Sequence, residues 1–313
     1  MAVAKLLLAG IELTEGVDPG LDATHAVETQ DLEMLRYEGD TVQREVDRST
    51  LGGKASINTS PHTNTSFSVP LAGSGTPGAA PAWGILLRAC GFNEVIDVGV
   101  DVAYQLPDNA ADLTTGDTVT LYDYRSQVNS AQKTSGVRGA CEITMGQGEL
   151  PKISFTDMIG SYLTPVPEIE PSGIDWSKWL AEVPFTKDNV PVLTLDGVTM
   201  CTSAFNVAFG QAVSRRNLPG CESSVMSDYE VTGGMTAIAP DITTQNFWAQ
   251  AESHNGVTLV PFVLKMGTVA GNIITISANE VQLAGITEEE SNEGDLAYSF
   301  SLSMIDAPVI TVT

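Results

Sequence analysis

Residues 66–72 read SFSVPLA, and the order of those side chains decides the fold class. Phe67, Val69 and Leu71 fall on one side of an extended chain and Ser66 and Ser68 on the other, which is the period-two pattern of a half-buried strand. The alternation returns in PKISFTDMI (151–159), where Ile153 and Phe155 oppose Ser154 and Thr156. It returns again in SAFNVAFG (203–210), with Phe205, Val207 and Phe209, and in AYSFSLSMI (297–305), with Tyr298, Phe300, Leu302 and Met304. Turn signals such as LDG at 195–197 and NEGD at 292–295 favour hairpins over βαβ units. The expected fold is mainly β.

Two stretches carry helical signals instead, TPGAAPAWGILLRACG (76–91) and DITTQNFWAQAESHNG (241–256), and each sets a Trp eight residues before a Gly. In the first, Trp83, Leu86, Leu87 and Cys90 are helically spaced and Gly91 follows. In the second, Asp241 or Thr243 offers an N-cap and Gly256 a left-handed close. Trp83 and Trp248 are read as plugs that pack each helix onto a sheet.

The flanks repeat too. Upstream stand TVQREVDRSTLGG (41–53) and AVSRRNLPG (212–220), each an apolar strand end, two arginines and a Leu close to a Gly; downstream, KISFTDMIG and AYSFSLSMI share a Ser-Phe pair. Features in the same order predict a duplicated architecture, and 313 residues favour two domains. The expected division is a first domain over 1–163, a connector over 164–190 and a second domain over 191–313. Prolines 165, 167, 171, 184 and 191 predict an extended connector with one helical turn at Trp176 to Ala181.

Composition excludes more than it assigns. No apolar run is long enough to span a bilayer, and the start does not read as a secretion signal, so a cytoplasmic protein is expected. Cys90, Cys141, Cys201 and Cys221 have no metal-ligand spacing and are read as reduced and structural. His25, His62 and His254 stand in separate segments with no ligand or base pattern, there is no GxSxG elbow, and GSGTPG (73–78) is not followed by the Lys of a phosphate loop. Neither catalysis nor a cofactor or metal is expected. With 39 acidic and 15 basic residues the net charge is −24, which argues against a grip on nucleic acid through phosphate neutralisation.

Longer phrases of the chain resemble a known family. LLLAGIELTEGVDPG, EGDTVQREVDRSTLGG, SFSVPLAGSGTPGAAPAWGILLRACGF, VPVLTLDG, RRNLPG and AGNIITISANEVQL together look like the tail tube (major tail) proteins of long-tailed, non-contractile bacteriophages. The resemblance implies two tandem β-sandwich or barrel domains, each with a flanking α-helix and a long loop. It also implies homotrimeric rings, six domains to a ring, stacked into a virion tail assembled in the host cytoplasm. The partners it implies are a tape-measure protein, a tail terminator, baseplate proteins and passing double-stranded DNA held without specific binding; no membrane is involved. The second helix, with Gln250, Glu252 and His254, is more polar than the first, so the two domains are expected to be only approximately equivalent. The competing classes are a monomeric β-sandwich binding module, of a tail-tip or carbohydrate-binding type, and a carboxylate hydrolase.

Two sets of site residues follow. Arg44, Arg48, Leu51 and Gly52, with Arg215, Arg216, Leu218 and Gly220, lie in or beside the loops at 42–62 and 213–229. In an otherwise acidic polymer these arginines are expected to pair with carboxylates of a neighbouring subunit or ring; the alternative is solvated surface charge. Asp31, Glu33, Glu142, Glu149, Glu280 and the turn at 287–295 are candidates for an acidic channel wall that keeps DNA mobile; the competing use of the acid is solubility.

Overall fold

The computed structural model describes residues 4–47, 52–252, 254, 256–291 and 294–313. It is mainly β, with 51% of residues in strands and only short helices. The first half runs β1 (Lys5–Ile11), β2 (Ala26–Val27), β3 (Gln30–Gln43), β4 (Ser56–Pro70), α1 (Gly84–Ala89), β5 (Asn93–Asp97), β6 (Asp101–Gln105), α2 (Ala110–Thr115), β7 (Val119–Arg125), β8 (Ser130–Gly146), β9 (Lys152–Ser161) and β10 (Val166–Pro167). The second runs β11 (Val192–Leu195), β12 (Val198–Thr199), β13 (Thr202–Ala208), β14 (Val213–Leu218), β15 (Cys221–Met226), β16 (Thr232–Ile238), α3 (Phe247–Ala251), β17 (Leu259–Met266), β18 (Ile274–Glu290), β19 (Leu296–Met304) and β20 (Val309–Val312).

The pairing order repeats. β1 pairs β2 and β7, β7 and β10 flank the start of β8, and the far half of β8 leads through β9 and β4 to β3. Likewise β11 pairs β12 and β17, β17 and β20 flank the start of β18, and the far half of β18 leads through β19 and β16 to β13. β8 and β18 each span 17 residues and change partners along their length, β8 from β7 and β10 to β9 and β13, and β18 from β17 and β20 to β19. Register shifts between Arg138 and Ala140 and between Leu283 and Gly285 sit near those changes of partner, where an extra residue bends a strand.

The halves are not separate bodies. β8 pairs β13, β6 pairs β20, and one buried cluster holds Leu7, Phe155, Phe205, Phe262 and Phe300 together. The apolar sides of the alternating strands form this core: Phe67, Val69, Phe155, Phe205, Val207, Phe300 and Leu302 are all buried.

Several expectations are corrected. The two long loops are the arms of equivalent β-hairpins: β3 and β4 run unbroken to Gln43↔Ser56, while β13–β16 is the same arm broken after Ala208 and resumed in the β14–β15 ladder. Gly210 makes the break, with φ +58 and a Cβ position only 2.3 Å from the Glu230 carbonyl, so only glycine fits. The second helix begins later than the sequence implies. Its N-cap is Asn246, which accepts from the Ala249 N–H at 3.1 Å, while Asp241 is engaged in a turn with Thr243. It ends at Ala251, well before Gly256. A third helix, α2, is capped by Asn109.

The connector has no helix at 176–181, only a single turn in which the Trp179 N–H donates to the Trp176 carbonyl at 3.0 Å, and it lies against the first half. Tyr124 and Lys133 hold Glu168 at 2.9 and 2.8 Å, and Trp179 Nε1 donates to the Ala26 carbonyl at 2.8 Å. Phe185 is buried and exchanges backbone bonds with Gly148 and Glu149.

Candidate functional site

The strands β3-β4-β9-β8-β13-β16-β19-β18 form one continuous sheet across both halves. Its inner side is the apolar core. Its outer side consists of residues that face one another across successive strands. One row passes from Ser154 through Glu142, Ala208, Thr232 and Ser303 to Gln282. The next passes from Lys152 through Thr144, Asn206, Gly234 and Ser301 to Gly285. A third joins Gly146, Ala204, Thr236, Ser299 and Thr287.

Apart from Glu142, Gln282 and Lys152, these rows are built from Ser, Thr, Asn, Ala and Gly, small and neutral residues. Ser68 and Ser154 hydroxyls lie 3.0 Å apart, and Asn206 reaches the Glu142 carboxylate at 3.3 Å. A Cβ at Gly234 would stand 2.5 Å from the Asn206 side-chain oxygen, so glycine lets that amide lie flat across the sheet. The result is a broad, low-relief polar face with no aromatic side chain in any of the three rows.

Of the acids singled out from sequence, Glu142 lies in the first row and Glu33, opposite Ser66, points the same way from β3. Glu149, in the β8–β9 turn, folds back so that its carboxylate sits where a Cβ on Gly146 would project. Asp31 occupies a bulge in β3 with φ +52, and Glu280 lies exposed in a bulge of β18, outside these rows. The acid on this face is therefore sparse and is interrupted by Lys152.

The hairpin arginines differ among themselves. Arg215 is committed within its own arm, to Glu222 and to Ser224 Oγ at 3.1 Å, with a side chain only 7% exposed. Arg216 donates to Ser223 Oγ at 2.8 Å, and Arg44 is exposed. Leu218 is exposed beside Gly220, whose φ of +96 makes the turn, and Gly52 is exposed at the other tip. Arg48 and Leu51 lie outside the described residues. Trp83 is buried at the head of α1 and donates to the Ala72 carbonyl at 2.7 Å, whereas Trp248 is half-buried edge-on to Tyr298 and its neighbour Phe247 is the buried anchor.

Both ends of the sheet are open: among the described residues, neither the outer edge of β3 nor that of β18 beyond Leu283 has a strand partner. Beside the β3 edge, Arg36 and Arg125 converge on buried Asp123 at 2.8 and 2.9 Å, and Lys5 donates to the Leu32 carbonyl. Two arginines thus share one carboxylate, and Lys5 and Arg125 line an open notch with Glu33, Met34 and Leu35. Sequence reading missed this cluster because its members are far apart in the chain.

His25 closes a capping box with Asp22, whose carboxyl is held down at about 2 by bonds from Thr24 and His25, and His62 stands 3.6 Å from Glu38. Among the described residues no group of three His, Cys, Asp or Glu is placed to hold a metal ion. Cys90 and Cys141 are buried, and burial first, then the neighbouring Cys141, pushes the Cys90 thiol up; Cys201 and Cys221 are exposed, against their reading as structural. No helix among the described residues is long and apolar enough to cross a membrane. Compared with known proteins, the chain matches no protein-family model and no curated protein.

Proposed function

We propose that the chain is the structural subunit of a phage tail tube: two tail-tube-like domains per copy, copies joined around an axis into homotrimeric rings, rings stacked into a conduit for DNA. The observation that carries this reading, beside the resemblance in phrasing, is the eight-stranded sheet with a low-relief hydroxyl and amide face on one side and open edges at both ends. On this reading that face lines the channel. Double-stranded DNA carries about one charge per 1.7 Å of axis and is gripped by clustered Lys and Arg through counterion release. A wall of Ser, Thr, Asn and Gly with scattered carboxylates offers no such grip, so the duplex slides. The lining is thus less acidic than sequence reading implies, and most of the net charge serves the other surfaces. Tape-measure, terminator and baseplate proteins are the partners this reading implies.

Negative-stain electron microscopy of the purified chain, concentrated through the micromolar range, tests the reading. Rings or tubes with a central hole are expected. Monomers at every concentration would overturn it in favour of a monomeric binding module.

A further inference from the structure

The internal repeat supplies a template for how copies meet. Within one chain the far half of β8 pairs β13, with Met145 opposite Phe205 and Ile143 opposite Val207. The counterpart of β8 is β18 and the counterpart of β13 is β3, and these are the two strands left with open edges. Cys141 faces Phe155 as Ile286 faces Phe300, so Ile143 corresponds to Glu288 and Met145 to Glu290. Phe205 faces Met235, and Leu32 falls across from Phe67 between the pairs Gln30↔Ser68 and Glu33↔Ser66, so Phe205 corresponds to Leu32 and Val207 to Met34.

Carried over, the template sets Glu290 opposite Leu32 and Glu288 opposite Met34 of a second copy. Both glutamates alternate with Thr287 and Glu289 and project from the core side of the sheet, in line with Ile286. Lys5 and Arg125 stand two residues along their ladder from Leu7 and Asp123, and so face that side of β3, where Leu7 shares the core with Leu32 and Asp123 meets Arg36; their notch opens along the strand edge, beside Met34 and Glu33. Inside the chain the junction is apolar; at the open ends carboxylates replace Ile143 and Met145, and cations stand where they would arrive.

We propose that the far half of β18 adds to the open edge of β3 of a second copy, with Glu288 and Glu290 clasped by Lys5 and Arg125. The clasp rests on the ring reading above and gives it a polarity: each copy donates one acidic edge and receives another. Lys5 now serves the neutral Leu32 carbonyl; a carboxylate at 290 makes the stronger, charge-assisted bond and draws it off. Inward-pointing charge also guards an open edge against indiscriminate pairing. On the other face the same register sets Glu289 beside Glu33, a like-charge contact that opposes the junction.

That asymmetry makes the test specific. Glu289→Gln and Glu290→Gln remove the same charge from a chain at −24, so a bulk-charge effect treats them alike. The clasp requires opposite results in sedimentation velocity: Glu289→Gln assembles at lower concentration than the unmodified chain, and Glu290→Gln at roughly tenfold higher. Lys5→Glu and Glu290→Lys are each expected to abolish assembly and, combined in one chain, to restore it, with circular dichroism melts confirming that every variant folds. Rings from the unmodified chain together with unaffected single variants, or no rescue in the double variant, would overturn the clasp and leave the tube reading standing. No assembly of the unmodified chain overturns both.

Discussion

Glu12 shows how one buried charge is made tolerable. It is 5% exposed, and it accepts from the Thr118 and Thr120 hydroxyls at 2.6 and 2.7 Å and from the Gly16 and Gly136 N–H groups at 2.6 and 2.7 Å. No cation is needed, because four donors replace the lost water. Glu12→Ala strands all four, and an expected loss of about 3 kcal/mol is to be measured by urea unfolding. Glu12→Gln keeps the shape but turns an amide toward donors, so it should fall between the two. Arg138 follows the same logic in reverse: it is buried in β8 and donates to the carbonyls of Leu113, Thr114 and Gly116, closing the end of α2. In Tyr104, burial and then the Glu94 carboxylate, 2.7 Å away, push the hydroxyl's pKa up, so that it remains a donor.

At the scale of elements, the helices are too short to be stable by themselves and hold their shape through the side chains they bury. For α3 that side chain is Phe247, edge-on to Phe300 at 5.2 Å, with Trp248 outside it. Phe247→Ala is expected to cost about 3–5 kcal/mol and Trp248→Ala less than half as much, a contrast that thermal unfolding of the two variants resolves. The Trp-to-Gly spacing was misleading in this half because the helix occupies five residues and stops before the glycine. The arms that carry the arginines were misjudged for a different reason. TVQRE (41–45) lacks clean alternation, since this part of the arm is exposed throughout and has no apolar side to write into the sequence.

For the whole molecule, charge sets the terms of association. Copies at −24 repel over a Debye length of about 30 Å at 0.01 M salt but only about 8 Å at 0.15 M, while contacts at 3 Å are screened least. On the proposed reading, assembly is expected to rise between those two salt concentrations and to fall again toward 1 M, as the ion pairs of the proposed junction weaken; sedimentation across a salt series checks both limbs. A rise that continues unbroken to 1 M would mean that apolar burial, and not charge pairing, holds copies together. The shared core has its own consequence. With β8 paired to β13 and β6 to β20, the halves are expected to move as one unit on assembly.

Alternation of Phe, Val and Leu with Ser and Thr determined by itself that this chain forms strands with one buried side, because a pleat sends successive side chains to opposite faces whatever lies beyond them. The repeated order of segments was legible for the same local reason, as was the tight turn at Asp196 and Gly197, both with positive φ. Only the tertiary structure decided what the polar sides amount to. Ser154, Thr232 and Ser303 come from segments up to 149 residues apart, and their alignment into one face depends on register between strands, a non-local pairing that no window of sequence contains. The same holds for Lys5, Arg36 and Arg125, scattered cations that become neighbours only when β1, β3 and β7 are brought together, Arg36 and Arg125 on Asp123 and Lys5 beside Arg125 in the notch.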